Sequence, residues 1–177
     1  SRVENKIIAS ANQSLLASAN YFQGLKIATL ILGDTVTGES REIAKSYAAL
    51  AREIRIHPQL LKAPIVLLSG GETTVTIKGN GRGGRNSEFL LSLLIELDGL
   101  KDIYALACDT DGLDGTENNA GALISPDSLV RARQLGLNAA SFLINNDAYT
   151  FFEQLNDLVI TGPTYTNVND YRAILIL

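Results

Sequence analysis

PIVLLSGGETTVTIKGNGRGGRNSEFLLSLLIELDGLKDIYALAC, residues 64–108, decides how this chain folds. Residues 64–68 are a short continuous apolar run of the kind that forms a strand buried on both faces. Ser69 and Glu72 have the spelling of a helix capping box, but residues 73–78 (TTVTIK) are β-branched and alternate with period two, so the strand reading wins there. That alternation suits an exposed antiparallel strand. Residues 88–97 (EFLLSLLIEL) are apolar on nearly every side and predict a buried helix, and residues 102–108 predict another buried strand. Upstream, residues 12–22 read as a helix closed by Gly24. Residues 26–32 read as a strand ending at Gly33 and Asp34, and residues 40–54 as a helix whose buried stripe is Ile43, Tyr47, Leu50 and Ile54. Downstream, helices are expected over 129–135 and 147–155, and short strands over 158–160 and 173–177. Apolar strands interleaved with helices imply an α/β fold: a layered, mostly parallel sheet flanked by helices, with some antiparallel strands. The stretch 57–63 is the expected boundary between two parts, because Pro58 and Pro64 both disfavour helix continuation.

Composition narrows the function class. The 177 residues are 46% hydrophobic and 19% charged, with a formal net charge of −4. This is a globular composition, and the acidic balance argues against nonspecific nucleic-acid binding. No apolar run approaches the length of a bilayer span, and residues 1–10 lack an apolar stretch after a basic start. One cysteine, Cys108, excludes an internal disulfide framework and fits a reducing compartment, so a cytoplasmic location is expected. There is no methionine in the chain, which suggests that the natural polypeptide is longer. Assembly into a homo-oligomer stays open.

Four predicted strands end in polar loops: Gly33-Asp34, Ser69-Gly70-Gly71-Glu72-Thr73, residues 109–115 and residues 161–170. Ligands of open α/β sheets bind beyond the carboxyl ends of strands, so these loops are expected to converge. The most distinctive segment is 79–86 (GNGRGGRN), with four glycines among its first six residues. Glycines let the backbone approach a ligand, and the helix that follows offers free amides to an anion. Arg85 adds a fixed guanidinium fork suited to phosphate or carboxylate, and Gly83, Gly84 and Asn86 flank it. A hairpin tip with two solvated arginines, Arg82 and Arg85, is the competing view. Gly79, Gly81 and Gly84 also spell the dinucleotide fingerprint G-x-G-x-x-G, but no acidic residue closes a second strand about twenty residues later. Asp109, Asp111 and Asp114 place three carboxylates in one loop, a pattern that suits Mg²⁺ or, equally, a set of Asx turns. The loop is not an EF-hand, since Ala120 stands at its twelfth position. Residues 161–170, with Asn167, Asn169 and Asp170, are polar enough to hold a polyhydroxy acid or a nucleotide, or to form a plain surface loop. His57 has no partner nearby in sequence, and Cys108 reads as a small core hydrophobe.

Taken in order, LLSGGETTVTIKGNGRGGRNSEF, DTDGLDGTENNAGA and FFEQLNDLVITGPTYTNVND closely resemble the C-terminal MOFRL domain of glycerate 2-kinases, some relatives of which carry the label hydroxypyruvate reductase. The resemblance covers about residues 63–177, and residues 1–62 resemble the end of the family's larger N-terminal Rossmann-like domain. It implies a kinase that moves the γ-phosphoryl group of ATP to glycerate, giving 2-phosphoglycerate, with Mg²⁺, in a cleft between two α/β domains. Catalytic roles would fall to Arg85, Asp109 and Asp111. Substrate or nucleotide contacts would come from Ser69, Gly70, Gly71, Glu72, Thr73, Gly83, Gly84, Asn86, Asn167, Asn169 and Asp170, and metal contacts from Asp109, Asp111 and Asp114. Further site residues, a lysine among them, would come from the N-terminal domain, a partner without which this portion is expected to be inactive. An NAD(P)H-dependent hydroxypyruvate reductase and a non-catalytic ligand-binding module are the alternatives. Three positions depart from the family pattern: Ser87 in place of glutamine, Tyr165 in place of glycine, and Glu117-Asn118-Asn119 in place of a Thr-Asp pair.

Overall fold

A computed structural model describes residues 3–57, 59 and 61–177. The elements are α1 (Ala11–Gly24), β1 (Ala28–Glu39), α2 (Ser40–Ile56), β2 (Ile65–Thr74), α3 (Arg85–Leu97), β3 (Ile103–Asp109), β4 (Gly121–Ile124), α4 (Ser128–Gln134), α5 (Ala139–Ile144), α6 (Ala148–Leu155), β5 (Leu158–Val159) and β6 (Asp170–Ile176). The strands form one six-stranded sheet in the order β1-β2-β6-β3-β4-β5. Helices cover both faces. The larger core joins α2, α3 and α6 to one face through residues such as Phe89, Leu90, Phe151 and Ile174. On the other, Leu15 and Ala19 of α1 pack on Val66 and Leu68 of β2. None of these helices is long and apolar enough to cross a membrane.

The layered α/β arrangement holds, but the balance of strand directions differs from the sequence reading. Only β1 and β2 pair in parallel; β6 is antiparallel to both β2 and β3, and β4 is antiparallel to β3 and β5. A continuous apolar strand reports burial on both faces and nothing about direction. Direction is set here by β6, which enters between β2 and β3 from the opposite end. Because it starts at Asp170, that residue lies beside Gly71 near the end of β2 and Asp109 at the end of β3. The carboxyl ends of three strands and the amino end of a fourth therefore share one edge of the sheet.

Other boundaries also moved. β1 runs through Gly33 and Asp34 to Glu39, with register shifts around Gly33, so no loop opens there. β2 runs through Ser69, Gly70, Gly71 and Glu72 as one strand and stops at Thr74, leaving residues 75–78 outside the sheet. At Gly71, whose φ is +125°, an added Cβ would strike the backbone of Val36, so only glycine permits the two strands to lie this close. Strand β4 and helix α5 were not anticipated. The buried stripe of α2 is Ala44, Tyr47, Ala48, Ala51 and Ile54, with Ile43 and Leu50 only partly buried. Three of these five are alanines, and Tyr47 of the same stripe meets the Phe89 ring of α3 edge-on at 5.4 Å. The expected boundary at 57–63 falls between α2 and β2, and Pro58 lies outside the described residues. One sheet and one core run across it, since β1 pairs with β2 and α2 packs into the main core.

Candidate functional site

The first turn of α3 is where the site begins. Gly84 is its N-cap, and an added Cβ there would collide with Asp114. Asp114, only 1% exposed, accepts the Asn86 amide at 2.9 Å and the Ser87 amide at 2.8 Å, together with the Ser87 hydroxyl. It closes the open end of the helix as a capping carboxylate.

With its helix pinned in this way, Arg85 reaches the shared edge of the sheet. Its Nη2 donates to Asp109 Oδ2 at 2.5 Å, its Nε to Asp170 Oδ1 at 2.8 Å, and its Nη1 lies 3.6 Å from Glu72 Oε1. Asp170 also accepts Asn86 Nδ2 at 2.8 Å and Arg172 Nη2 at 2.6 Å. Burial works against the Arg85 charge, but its hydrogen bond to Asp170 and the charges of Asp170, Asp109 and Glu72 outweigh it and raise its pKa. Asp109 is also raised, a shift that in a carboxyl disfavours the charged form. Its carboxyl is pushed up to about 6, first by burial and then by Asp111 and Asp170, against the Asp111 amide and Arg85. The thiol of Cys108, which is half-buried, is pushed up to about 12, by burial first, and so stays protonated and weakly reactive.

The shift at Asp109 has a signed consequence. Folded Asp109 holds its proton more tightly than an unfolded aspartate with the ordinary value of 3.8. Between about pH 4 and about pH 6 the folded state therefore binds more protons, and its stability falls as pH rises until the curve levels off. Denaturant titrations at several pH values are expected to show Asp109→Asn gaining on the wild type across that window and keeping a constant difference above it. A difference that does not change with pH would refute the assignment.

Arg85 lies on the wall of a cleft of about 910 Å³, along with Gly71, Glu72, Thr73, Gly83, Gly84 and Asn169. Thr35 and Thr37 of β1 line it too, as do Glu88 and Asn146, none of them anticipated from sequence. Asp109 and Asp170 stand behind Arg85. Ser69 and Gly70 are buried within β2 and are not on the cleft wall, because the strand continues through them.

The glycine-rich segment departs from the phosphate-cradle expectation. The amides of Lys78 and Gly79 donate to Asn146 Oδ1, that of Asn80 to Asn145 Oδ1, that of Gly81 to the Asn145 carbonyl, and that of Arg82 to Asp147 Oδ1. Side chains at positions 79 and 81 would strike this same α5–α6 loop, so the two glycines serve its close packing. Arg82 is committed as well: it lies 4.5 Å from the Tyr149 ring and pairs with Glu117 and Glu153. The amides that this lacing leaves are those of Gly83, Gly84 and Arg85, all residues of the cleft wall. The Asx-rich run Asn145-Asn146-Asp147 was the overlooked signal, since such residues commonly bond neighbouring backbone.

The acidic loop is built largely from Asx turns. The Asp111 amide donates to Asp109 Oδ1 at 3.0 Å and the Leu113 amide to Asp111 Oδ1 at 2.8 Å. Among the described residues no three His, Cys, Asp or Glu side chains gather as a metal-holding group. Asp109, Asp111 and Asp114 therefore do not form the shared cage their spacing suggests. Asp114 turns inward to cap α3, and Asp109 faces Arg85. Residues 161–169 are laced onto this loop. The Thr164 amide donates to the Asp111 carbonyl, Thr110 Oγ1 to the Asn169 carbonyl, and Asn167 Nδ2 lies 3.5 Å from Asp111 Oδ2. Tyr165, at φ +58° and 98% exposed, points into solvent and does not narrow the cleft. The other two departures from the family pattern are one contact: Asn119 Nδ2 donates to Ser87 Oγ at 3.2 Å beside Asp114.

The chain is an α/β domain whose sheet edge and α3 N-terminus bring one guanidinium, Arg85, together with Asp109 and Asp170. The chain belongs to the MOFRL family, whose model matches residues 65–170. It is 51% identical over 173 residues to a putative hydroxypyruvate reductase of Agrobacterium vitis, covering 97% of this chain and 45% of that one. It is 38% identical over 147 residues to the D-glycerate 2-kinase of Thermotoga maritima, covering 83% of this chain and 35% of that one. The crystal structure of a glycerate kinase from Thermotoga maritima superposes with a TM-score of 0.95 at 33% identity, over 100% of this chain and 43% of that one. The chain thus spans less than half the length of each of these relatives.

Proposed function

We propose that this chain forms the Arg85-bearing side of a kinase site that transfers the γ-phosphoryl group of ATP to glycerate, giving 2-phosphoglycerate. The observation that carries the reading is the Arg85 guanidinium on the cleft wall, held by Asp109 and Asp170 with Glu72 beside its Nη1. Phosphoryl transfer asks a protein mainly for positioning and for stabilisation of charge on oxygen, and a fixed guanidinium supplies both. Arg85 would clamp the glycerate carboxylate or the moving phosphoryl group, with the amides of Gly83 and Gly84 beside it. Thr35, Thr37 and Asn169 on the same cleft offer hydroxyl and amide partners for a polyhydroxy acid. Mg²⁺ brought in on nucleotide phosphates needs only one or two protein carboxylates. Asp111 suits that task, being neither capped inward like Asp114 nor paired with an arginine. Such an ion would neutralise charge on the phosphate oxygens.

The remaining positioning groups would come from a further domain of the same polypeptide, in keeping with the length of the relatives. Groups of this kind act as a unit. Residues 1–177 alone are therefore expected to show no glycerate-dependent ADP release in a coupled assay, and the intact polypeptide is expected to show it. Absence of turnover by the intact polypeptide would refute the kinase reading. The reductase reading has the name of the Agrobacterium vitis relative in its favour, but of the fingerprint glycines it needs, Gly79 and Gly81 are packed against residues 145–147 and Gly84 against Asp114. Loss of absorbance at 340 nm with hydroxypyruvate and NADH, measured on the intact polypeptide, would decide for it. Calorimetric binding of glycerate or nucleotide with neither turnover would leave a ligand-binding module.

A further inference from the structure

Arg172 is 0% exposed, in the middle of β6 between Ser69 of β2 and Ala107 of β3. Its Nη2 donates to Asp170 Oδ2 at 2.6 Å and to Thr73 Oγ1 at 3.0 Å, and Thr73 is in turn 2.7 Å from Ser40 Oγ. The guanidinium lies 5.2 Å from the Phe89 ring, while its Nε and Nη1 have no hydrogen-bond partner. A buried cation with two unpartnered donor atoms is a poor choice for stability alone. An apolar side chain of similar volume commonly packs in such a place at lower cost.

Its effect is felt at the cleft. Asp170 divides its oxygens, Oδ2 to Arg172 and Oδ1 to Arg85 and Asn86. With that carboxylate held, Arg85 meets Asp170 through Nε and Asp109 through Nη2, and its Nη1 faces Glu72 of the cleft wall at 3.6 Å. The charges also matter. Arg85 and Arg172 stand against Asp109, Asp170 and Glu72, two positive charges against three negative when all are ionised, and without Arg172 the excess of negative charge beneath an anionic ligand would grow.

We infer that Arg172 is a positioning residue, which works through Asp170 to aim Arg85 toward the cleft and to offset part of the negative charge beneath an anionic substrate. The substrate part of this inference rests on the kinase reading; the aiming of Arg85 does not.

The test uses the intact polypeptide labelled with ¹⁵N-arginine, with the Nε–Hε signal of Arg85 assigned by its disappearance in Arg85→Lys. Arg172→Met is expected to shift or broaden that signal and to raise KM for glycerate by about tenfold or more, as for loss of a charged hydrogen bond. Arg172→Lys, which keeps the charge, is expected to restore part of both. Because Arg172 acts through Asp170, adding Arg172→Met to Asp170→Asn is expected to raise KM little beyond Asp170→Asn alone, which an independent packing role would not give. An Arg85 signal unchanged in Arg172→Met and Arg172→Lys overturns the proposal, as does an Arg172→Met effect on KM that is undiminished in the Asp170→Asn background. Should Arg172→Met fail to fold, the Arg85 signal in Arg172→Lys decides alone: a shift supports the proposal and an unchanged signal overturns it. If the Arg85 signal responds but even the wild type lacks glycerate turnover, the kinase reading falls and the aiming role stands.

Discussion

Replacing Arg85 with methionine is expected to lower kcat/KM for glycerate in the intact polypeptide by about a thousandfold or more, the scale seen when a preorganised charge donor is removed from a transition state. Nothing else on the cleft wall can take its place. Arg82 is held by Tyr149, Glu117 and Glu153, and Arg172 is fully buried. The same change strips Asp109 and Asp170, both nearly buried, of a shared cation, so stability is expected to fall by about 3 kcal/mol. Activity must therefore be measured at a temperature and denaturant-free condition where circular dichroism shows the variant folded. Arg85→Lys separates charge from geometry. An ammonium keeps the positive charge but cannot meet Asp109 and Asp170 with two edges of one plane while presenting a third. It is expected to remain at least about tenfold below the wild type. A folded Arg85→Met enzyme within tenfold of wild-type turnover would remove the central support for the proposed site.

The second large effect belongs to Asp114, and it lies in stability. Asp114→Ala leaves the amides of Asn86 and Ser87 and the Ser87 hydroxyl buried without an acceptor. The Asn119 side chain, which leans on Ser87 Oγ, loses its support as well. Several unsatisfied groups at the start of a buried helix are expected to cost about 3–5 kcal/mol, which for a domain of this size lowers Tm by on the order of 10 °C. Asp114→Asn keeps the shape but places an amide group against N–H donors, so an intermediate loss is expected. Were Asp114 a metal ligand instead, the variant would melt near the wild-type temperature and show a changed dependence on Mg²⁺. Urea denaturation beside a Mg²⁺ titration separates the two roles.

These two residues show what could be read in advance. Arg85 was legible because an arginine between glycines and the start of a helix has few structural uses, and its surroundings in the chain are local. Asp114 was legible as a carboxylate in a turn-rich loop, but its direction was not. Whether an aspartate faces solvent, a metal or a helix end depends on which helix lies behind it, and α3 is 28 residues away in the hydrogen bond that decides the matter. Arg172 was missed for a related reason. Its neighbours alternate as Asp170, Arg172, Ile174 and Ile176 on the buried side of β6, so the pattern pointed inward, yet a charged residue there reads as a strand end. The glycine segment shows the reverse error. Its composition suggested an open cradle, whereas Gly79 and Gly81 are required by the backbone of residues 145–147.

The local terms of the sequence were enough to determine an α/β chain, the place of its main helices and buried strands, and the place of Arg85 at the entrance of α3. These follow from hydrophobic period, β-branching and glycine placement, which act over a few residues. Strand direction, the convergence of Asp109 and Asp170 on Arg85, and the inward turn of Asp114 were decided only by the tertiary structure. Each depends on where β6 enters the sheet, between two strands that are distant in the chain, and no short-range preference encodes that choice.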